Sequence, residues 1–239
     1  MNRNLPEIIK HLIIINVLFF VAKIALPNFD LNQLFNLHYF ENPNFKYWQL
    51  VTGIFMHDNF THLLFNMVGL YFVGSPMAEV FGKNKFLFFY FSAGIGASLI
   101  YLLERHIEFN SAMSALETMG ASQQEIYDLF STTKRYADEN LQVANEIYNM
   151  QLLGASGAIF GLLGAFAWYY PNTKIYIYFV IPVTTKYFVA IIIIADLISG
   201  LTGQPLISPS NTAYFAHVGG AIIGLLIAIV WKKNQYRTY

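Results

Sequence analysis

The chain has 239 residues, of which 56% are hydrophobic and only 12% charged, and its mean hydropathy is +0.44. That charged share is about half that of a soluble domain, which excludes an ordinary aqueous globule and points to an integral membrane protein. Fourteen basic residues balance fourteen acidic ones and Cys is absent, so no nucleic-acid partner, disulfide, thiolate metal site or cysteine nucleophile is expected.

A membrane-crossing helix needs about 20 mostly apolar residues, and six such runs follow one another. The first extends from Ile8 to Leu26 and stops at Pro27. With Arg3 and Lys10 near its front and no small-residue cleavage site behind it, it is expected as an uncleaved span. Residues 27–50 are polar and aromatic, and Pro43 and Tyr47-Trp48 suit a membrane interface. The second span covers Phe60 to Val80 and the third Phe86 to Leu103, with Gly82-Lys83-Asn84-Lys85 as the turn between them. The fourth covers Leu152 to Tyr170 and stops at Pro171. An aromatic stretch from Lys174 to Lys186 is expected along the membrane surface, and the fifth and sixth spans cover Tyr187 to Gly200 and Tyr214 to Trp231. The expected fold is an all-α bundle of six membrane helices, one domain over residues 1–239.

With both termini on one side, that side collects Arg3, Lys10, Lys83, Lys85, Lys174, Lys186, Lys232, Lys233 and Arg237. The other side holds Lys46, Arg105, Lys134 and Arg135, so both termini are expected in the cytoplasm. Residues 104–150, between the third and fourth spans, are too polar to cross and too long for an ordinary connection. They form an expected extramembrane helical insertion. Ser122-Gln-Gln-Glu125 is a capping-box pattern, Gly120 divides two helix-like segments, and Ile126, Leu129, Phe130, Leu141, Ala144 and Ile147 recur at helical spacing. A small helical hairpin on the outer face is the plainer expectation, and a docking or self-association platform the sharper one.

Strongly polar side chains inside a bilayer are costly and usually functional. Four places carry them: His57, His62 and Asn66 at the outer end of the second span, Ser156 within Gly154-Ala155-Ser156-Gly157 opening the fourth, His217 before Gly219-Gly220 opening the sixth, and Asp196 in the fifth. His62 and Asn66, four apart, share a helix face, and His57 belongs at the helix mouth. The second, fourth and sixth spans all run inward, so their polar groups stand at one height and make one site. A Ser hydroxyl attacks when a base takes its proton, and His217 is the base on hand for Ser156. The small residues Gly157, Gly161, Gly220 and Gly224 let the two helices approach closely, and His62, Asn66 and the Ser156 amide are the available oxyanion donors. Taken singly, Ser156 is a packing residue and each His a core residue or proton relay. The five-residue step from His57 to His62 misses the one-turn spacing of a metal pair. Asp196 is expected to serve helix packing.

At these residues the chain resembles the rhomboid family of intramembrane serine proteases. The likeness covers residues 8–103 and 152–231, on His57-xxxx-His62-xxx-Asn66, Gly154-x-Ser156-Gly157 and Ala216-His217-x-Gly219-Gly220. It implies a Ser156–His217 dyad without a third acid, an oxyanion hole from His62, Asn66 and the Ser156 amide, and cleavage of single-span transmembrane substrates near their outer ends. It also implies a bacterial plasma membrane, no cofactor and no metal. Residues 27–50 would lie partly in the membrane, and the segment holding Gly200, Gly203, Pro205 and Pro209 would be a mobile cap. Two positions depart from the family pattern: Trp48-Gln49 stands where many bacterial members have Trp-Arg, and Phe160 where many have Tyr. Phe160 is still able to pack against His217. Nothing in the sequence indicates a homo-oligomer. The rival readings are a catalytically silent relative that binds membrane clients and a small transporter or channel.

Overall fold

A computed structural model of the chain describes residues 5–131, 134–177, 180–210 and 212–235. Peptide groups in lipid have no water to bond and must satisfy one another, which makes helices of the apolar runs. The first is α1 (Glu7–Ala25). The connection after it holds α2 (Leu31–Phe35), the two-residue strand β1 (Leu37–His38) and α3 (Gln49–Thr52). The second span is α4 (Phe60–Gly69), one π-helical turn at Leu70–Gly74, and α5 (Ser75–Phe81). Pro76 accounts for the wider turn: it has no N–H to give and its ring crowds the carbonyl one turn back, so the ladder slips by a residue there.

The third span, α6 (Lys83–Thr118), is 36 residues long and runs well past the expected end at Leu103. Glu104, Arg105 and Glu108 mark the exit from an apolar run, yet they do not break a helix. Arg105 pairs with both carboxylates, and the first helix breaker is Gly120 at φ +95°. Two short helices follow, α7 (Gln123–Leu129), opened by the Ser122–Glu125 capping box, and α8 (Glu139–Tyr148). Ile126, Ala144 and Ile147 bury themselves against Leu102, Phe109, Ala112, Met113 and Leu116 of α6, together with Leu37 and Tyr39 from the connection after α1. Leu129 stays exposed. The insertion is therefore no hairpin laid on a surface. It is the continuation of the third span, with a core of its own shared with residues 37–39.

The fourth helix is shorter than its apolar run. Gln151–Leu152 pair as strand β2 with β1, antiparallel, and Gly154 turns the chain at φ +114°, so α9 (Ser156–Tyr169) has 14 residues. At 1.5 Å per residue that is about 21 Å, less than a bilayer core. Among the described residues five other helices are long and apolar enough to cross a membrane. The stretch expected along the membrane surface is a hairpin, β3 (Lys174–Ile177) with β4 (Ile181–Thr184). It leads into α10 (Thr185–Thr202), and the last helix is α11 (Tyr214–Gln235).

Helix α9 is the axis of the bundle. A Cβ on Gly157 or Gly161 would come within 2.7 Å of Ala97 or 2.5 Å of Ala93 on α6. Towards α11, a Cβ on Gly220 or Gly224 would overlap the carbonyl oxygens of Gly157 and Gly161, at 2.0 and 2.3 Å. Glycines on both partners thus leave α9 and α11 in backbone contact, the close approach their spacing predicts.

Candidate active site

Ser156 is the first residue of α9 and half-buried. The first N–H groups of a helix have no partner within it, which leaves the Ser156 amide free to donate. Just ahead of it, Gly154 N–H donates to Gly53 O at 2.9 Å, holding the turn against the connection before α4. The positive φ of Gly154 is one reason for glycine there. The other is space: an added Cβ would lie 2.8 Å from His62 Nε2 and 3.7 Å from Asn66 Nδ2. The missing side chain lets both donor groups of α4 come up to the backbone beside the serine.

The start of α4 is itself braced. Asn59 caps it by accepting from His62 N–H at 2.9 Å, and Asn66 Nδ2 donates back to His62 O at 3.1 Å. Lys23, at the end of α1, donates to the carbonyls of His57 and Asp58, each at 3.0 Å. His57 is fully buried, lies 3.2 Å through Nδ1 from Phe55 O, and meets the His62 ring edge-to-face at 5.0 Å. It therefore walls the His62 side of the site. Among the described residues no three His, Asp or Glu side chains converge as metal ligands.

His217 lies in the first turn of α11, buried. Its ring stacks on Phe160, with centroids 3.9 Å apart and planes 13° apart. Phe160 follows Ser156 by one helical turn and shares its face, so the stack lays the imidazole along the side of α9 that carries the serine. No hydrogen bond joins the Ser156 hydroxyl to His217 among the described residues. The imidazole instead has a partner on its far side: Nδ1 lies 2.7 Å from Asp196 Oδ2, and the Asp196 carboxylate is fully buried. An ionised carboxylate only accepts, so a neutral His217 paired with it would carry its proton on Nδ1 and leave the lone pair on Nε2.

This contact joins α10 to α11, and it gives the imidazole an acidic partner that the family resemblance did not include. Sequence reasoning missed it because Asp196 and His217 lie on different helices, and the pairing of α10 with α11 sets which faces meet. The one available signal was the expense of a charge inside an apolar run.

Gln49 has a definite place as well. Its Nε2 reaches the carbonyls of Asn44, Gln33 and Leu34 at 3.0, 3.2 and 3.4 Å, and its Oε1 accepts from Lys46 N–H and His38 N–H at 3.0 and 3.4 Å. It is buried, and it closes the connection after α1 on itself. His38, in the same connection, has its pKa pushed down by burial.

Comparison with known proteins follows the same outline. The Rhomboid domain model matches residues 44–234. The chain is 28% identical over 226 residues to an uncharacterized mitochondrial rhomboid protein of Schizosaccharomyces pombe, covering 85% of this chain and 55% of that protein. It is 29% identical over 193 residues to the mitochondrial rhomboid protein 1 of Saccharomyces cerevisiae, covering 79% and 44%. To the rhomboid protease AarA of Providencia stuartii it is 28% identical over 191 residues, covering 77% and 56%. The chain thus spans about half the length of these relatives. They are mitochondrial and bacterial alike, so similarity supports integration in a membrane and does not select the bacterial plasma membrane.

Proposed function

The chain belongs to the rhomboid family, and from that premise we propose that it is an intramembrane serine endopeptidase cleaving transmembrane protein substrates near the outer membrane face. Ser156 Oγ attacks the scissile carbonyl while His217 Nε2 takes the hydroxyl proton. His62, Asn66 and the Ser156 N–H donate to the oxyanion of the tetrahedral intermediate. Its collapse breaks the C–N bond, and His217 returns the proton to the leaving amine. Water then attacks the acyl ester with His217 again accepting the proton, releasing the carboxylate product and restoring Ser156. Both termini, on this reading, face the side that carries the Lys and Arg excess.

The observation that carries the proposal is the stack of Phe160 on His217. It sets an imidazole with a free Nε2 along the serine's face of α9, while Gly154 gathers His62 and Asn66 at the other side of the same residue. The test is cleavage of a single-span reporter by the purified chain in vesicles. Wild type should cleave and should take up a serine-directed phosphonate at Ser156, while Ser156→Ala and His217→Ala lose both reactions yet remain folded. A Ser156→Ala protein that cleaves at the wild-type rate would refute the proposal.

A further inference from the structure

Asp196 spends both of its oxygens. Oδ2 faces His217 Nδ1 at 2.7 Å, and Oδ1 accepts from the hydroxyl of Ser208 at 2.6 Å. Ser208 belongs to the connection between α10 and α11. That connection is fastened again nearby, where Leu206 N–H donates to Ser199 Oγ at 3.1 Å and the Tyr214 hydroxyl donates to Pro209 O at 2.8 Å. Asp196 and Ser199, three residues apart on one face of α10, are both fully buried. A carboxylate with no water contact is a poor choice for packing alone, because a neutral side chain would fill the same space without the cost of burying charge. Its two contacts are with His217 and with the connection between α10 and α11.

We propose that Asp196 is a positioning residue that holds His217 in the Nδ1–H tautomer, and that through Ser208 the same carboxylate ties the connection between α10 and α11 to the base. The proposal rests on the reading of His217 as the base for Ser156. The physical argument runs through the lone pair. An imidazole with its proton on Nε2 is unable to accept from a serine, and a carboxylate at Nδ1 excludes that tautomer while stabilising the imidazolium formed during attack. Phe160 restrains the ring plane by stacking, and Asp196 restrains rotation within that plane. The two bonds use different oxygens, so loss of the Ser208 contact at Oδ1 leaves the one to His217 at Oδ2 in place.

The test uses the full chain in detergent or vesicles, with kcat and KM on the single-span reporter, phosphonate labelling, and melting temperature measured on each variant. Asp196→Asn should lower kcat by about 10²- to 10⁴-fold, the range known for the loss of such a carboxylate. KM should change less than threefold, and phosphonate labelling should slow in parallel with kcat. Asp196→Asn within threefold of the wild-type kcat, with Ser156→Ala inert, overturns the role of Asp196 and leaves the serine hydrolase standing. Ser156→Ala that still cleaves overturns the hydrolase reading instead. A measurement on the wild type needs no variant to fold: ¹⁵N NMR of histidine-labelled protein at neutral pH should find His217 protonated at Nδ1 and bare at Nε2. The opposite tautomer overturns the proposal. Ser208→Ala should speed amide exchange over residues 204–210, and unchanged exchange would remove Ser208 from the tie.

Discussion

Gly220→Ala tests the close approach of α9 and α11. The new methyl would stand 2.0 Å from the carbonyl oxygen of Gly157, 2.9 Å from its carbon and 3.2 Å from its Cα. Carbon and carbonyl oxygen are in comfortable contact at about 3.3–3.6 Å, so α11 must move from α9 by roughly 1 Å, since backbone on both sides leaves no side chain to swing away. Overpacking of this kind costs about 1–3 kcal/mol. The displaced pair carries Ser156 one residue before Gly157 and His217 three residues before Gly220. A misplacement of about 1 Å between reacting groups is able to lower a rate by about 10²-fold. The assay is cleavage of the single-span reporter beside the melting temperature in detergent, with Ile222→Ala as control, because Ile222 lies on the same helix and is 47% exposed. Gly220→Ala should melt several degrees lower and cleave about 10²-fold more slowly, while the control matches wild type. A Gly220→Ala protein indistinguishable from wild type in both measurements would mean that the two helices are not in backbone contact.

Asn66→Ala should lower kcat by about 10²- to 10³-fold with little change in KM, as for other oxyanion donors, and an unchanged kcat removes Asn66 from the hole. Gln49→Ala leaves the carbonyls of Gln33, Leu34 and Asn44 and the N–H groups of His38 and Lys46 without this partner. With buried groups left unpaired the cost should be at least about 1–3 kcal/mol, visible as faster amide exchange over residues 33–49; exchange equal to wild type would show that the amide network does not hold the connection. Deleting residues 106–148 strips Leu37 and Tyr39 of Phe109, Met113, Ile126 and Ile147. The shortened chain should lose melting temperature and become open to protease near residues 37–45, and a shortened chain as stable as the parent contradicts the shared core.

Much of the architecture was legible because lipid makes the rules simple: long apolar runs become helices, and Pro27, Gly82 and Pro171 end them where expected. The candidate site could be proposed from the sequence for a related reason. His62, Asn66, Ser156 and His217 are polar groups in surroundings that penalise polarity, and alternating direction of the spans puts three of their helices at one depth. What stayed hidden depends on contacts between distant segments. Leu152 reads as the start of the fourth apolar run, and only pairing of Gln151–Leu152 with Leu37–His38 makes it part of a strand. Glu104 and Arg105 end the hydropathy signal of the third span without ending its helix, since helicity persists until Gly120. Asp196 was visible as an anomaly, but its partner depends on which face α10 turns to α11. Gln49 registered as a departure from a family pattern, and its bonds to five backbone groups appear only when the connection is folded.

The unbroken length of α6 has a mechanical consequence. Thirty-six residues make a rod of about 54 Å, whose lower part presents Ala93 and Ala97 to the glycines of α9 and whose upper part anchors the insertion's own core. No hinge interrupts it between those two ends. One continuous helix therefore carries both the core of the insertion and the seat of the helix that bears the serine.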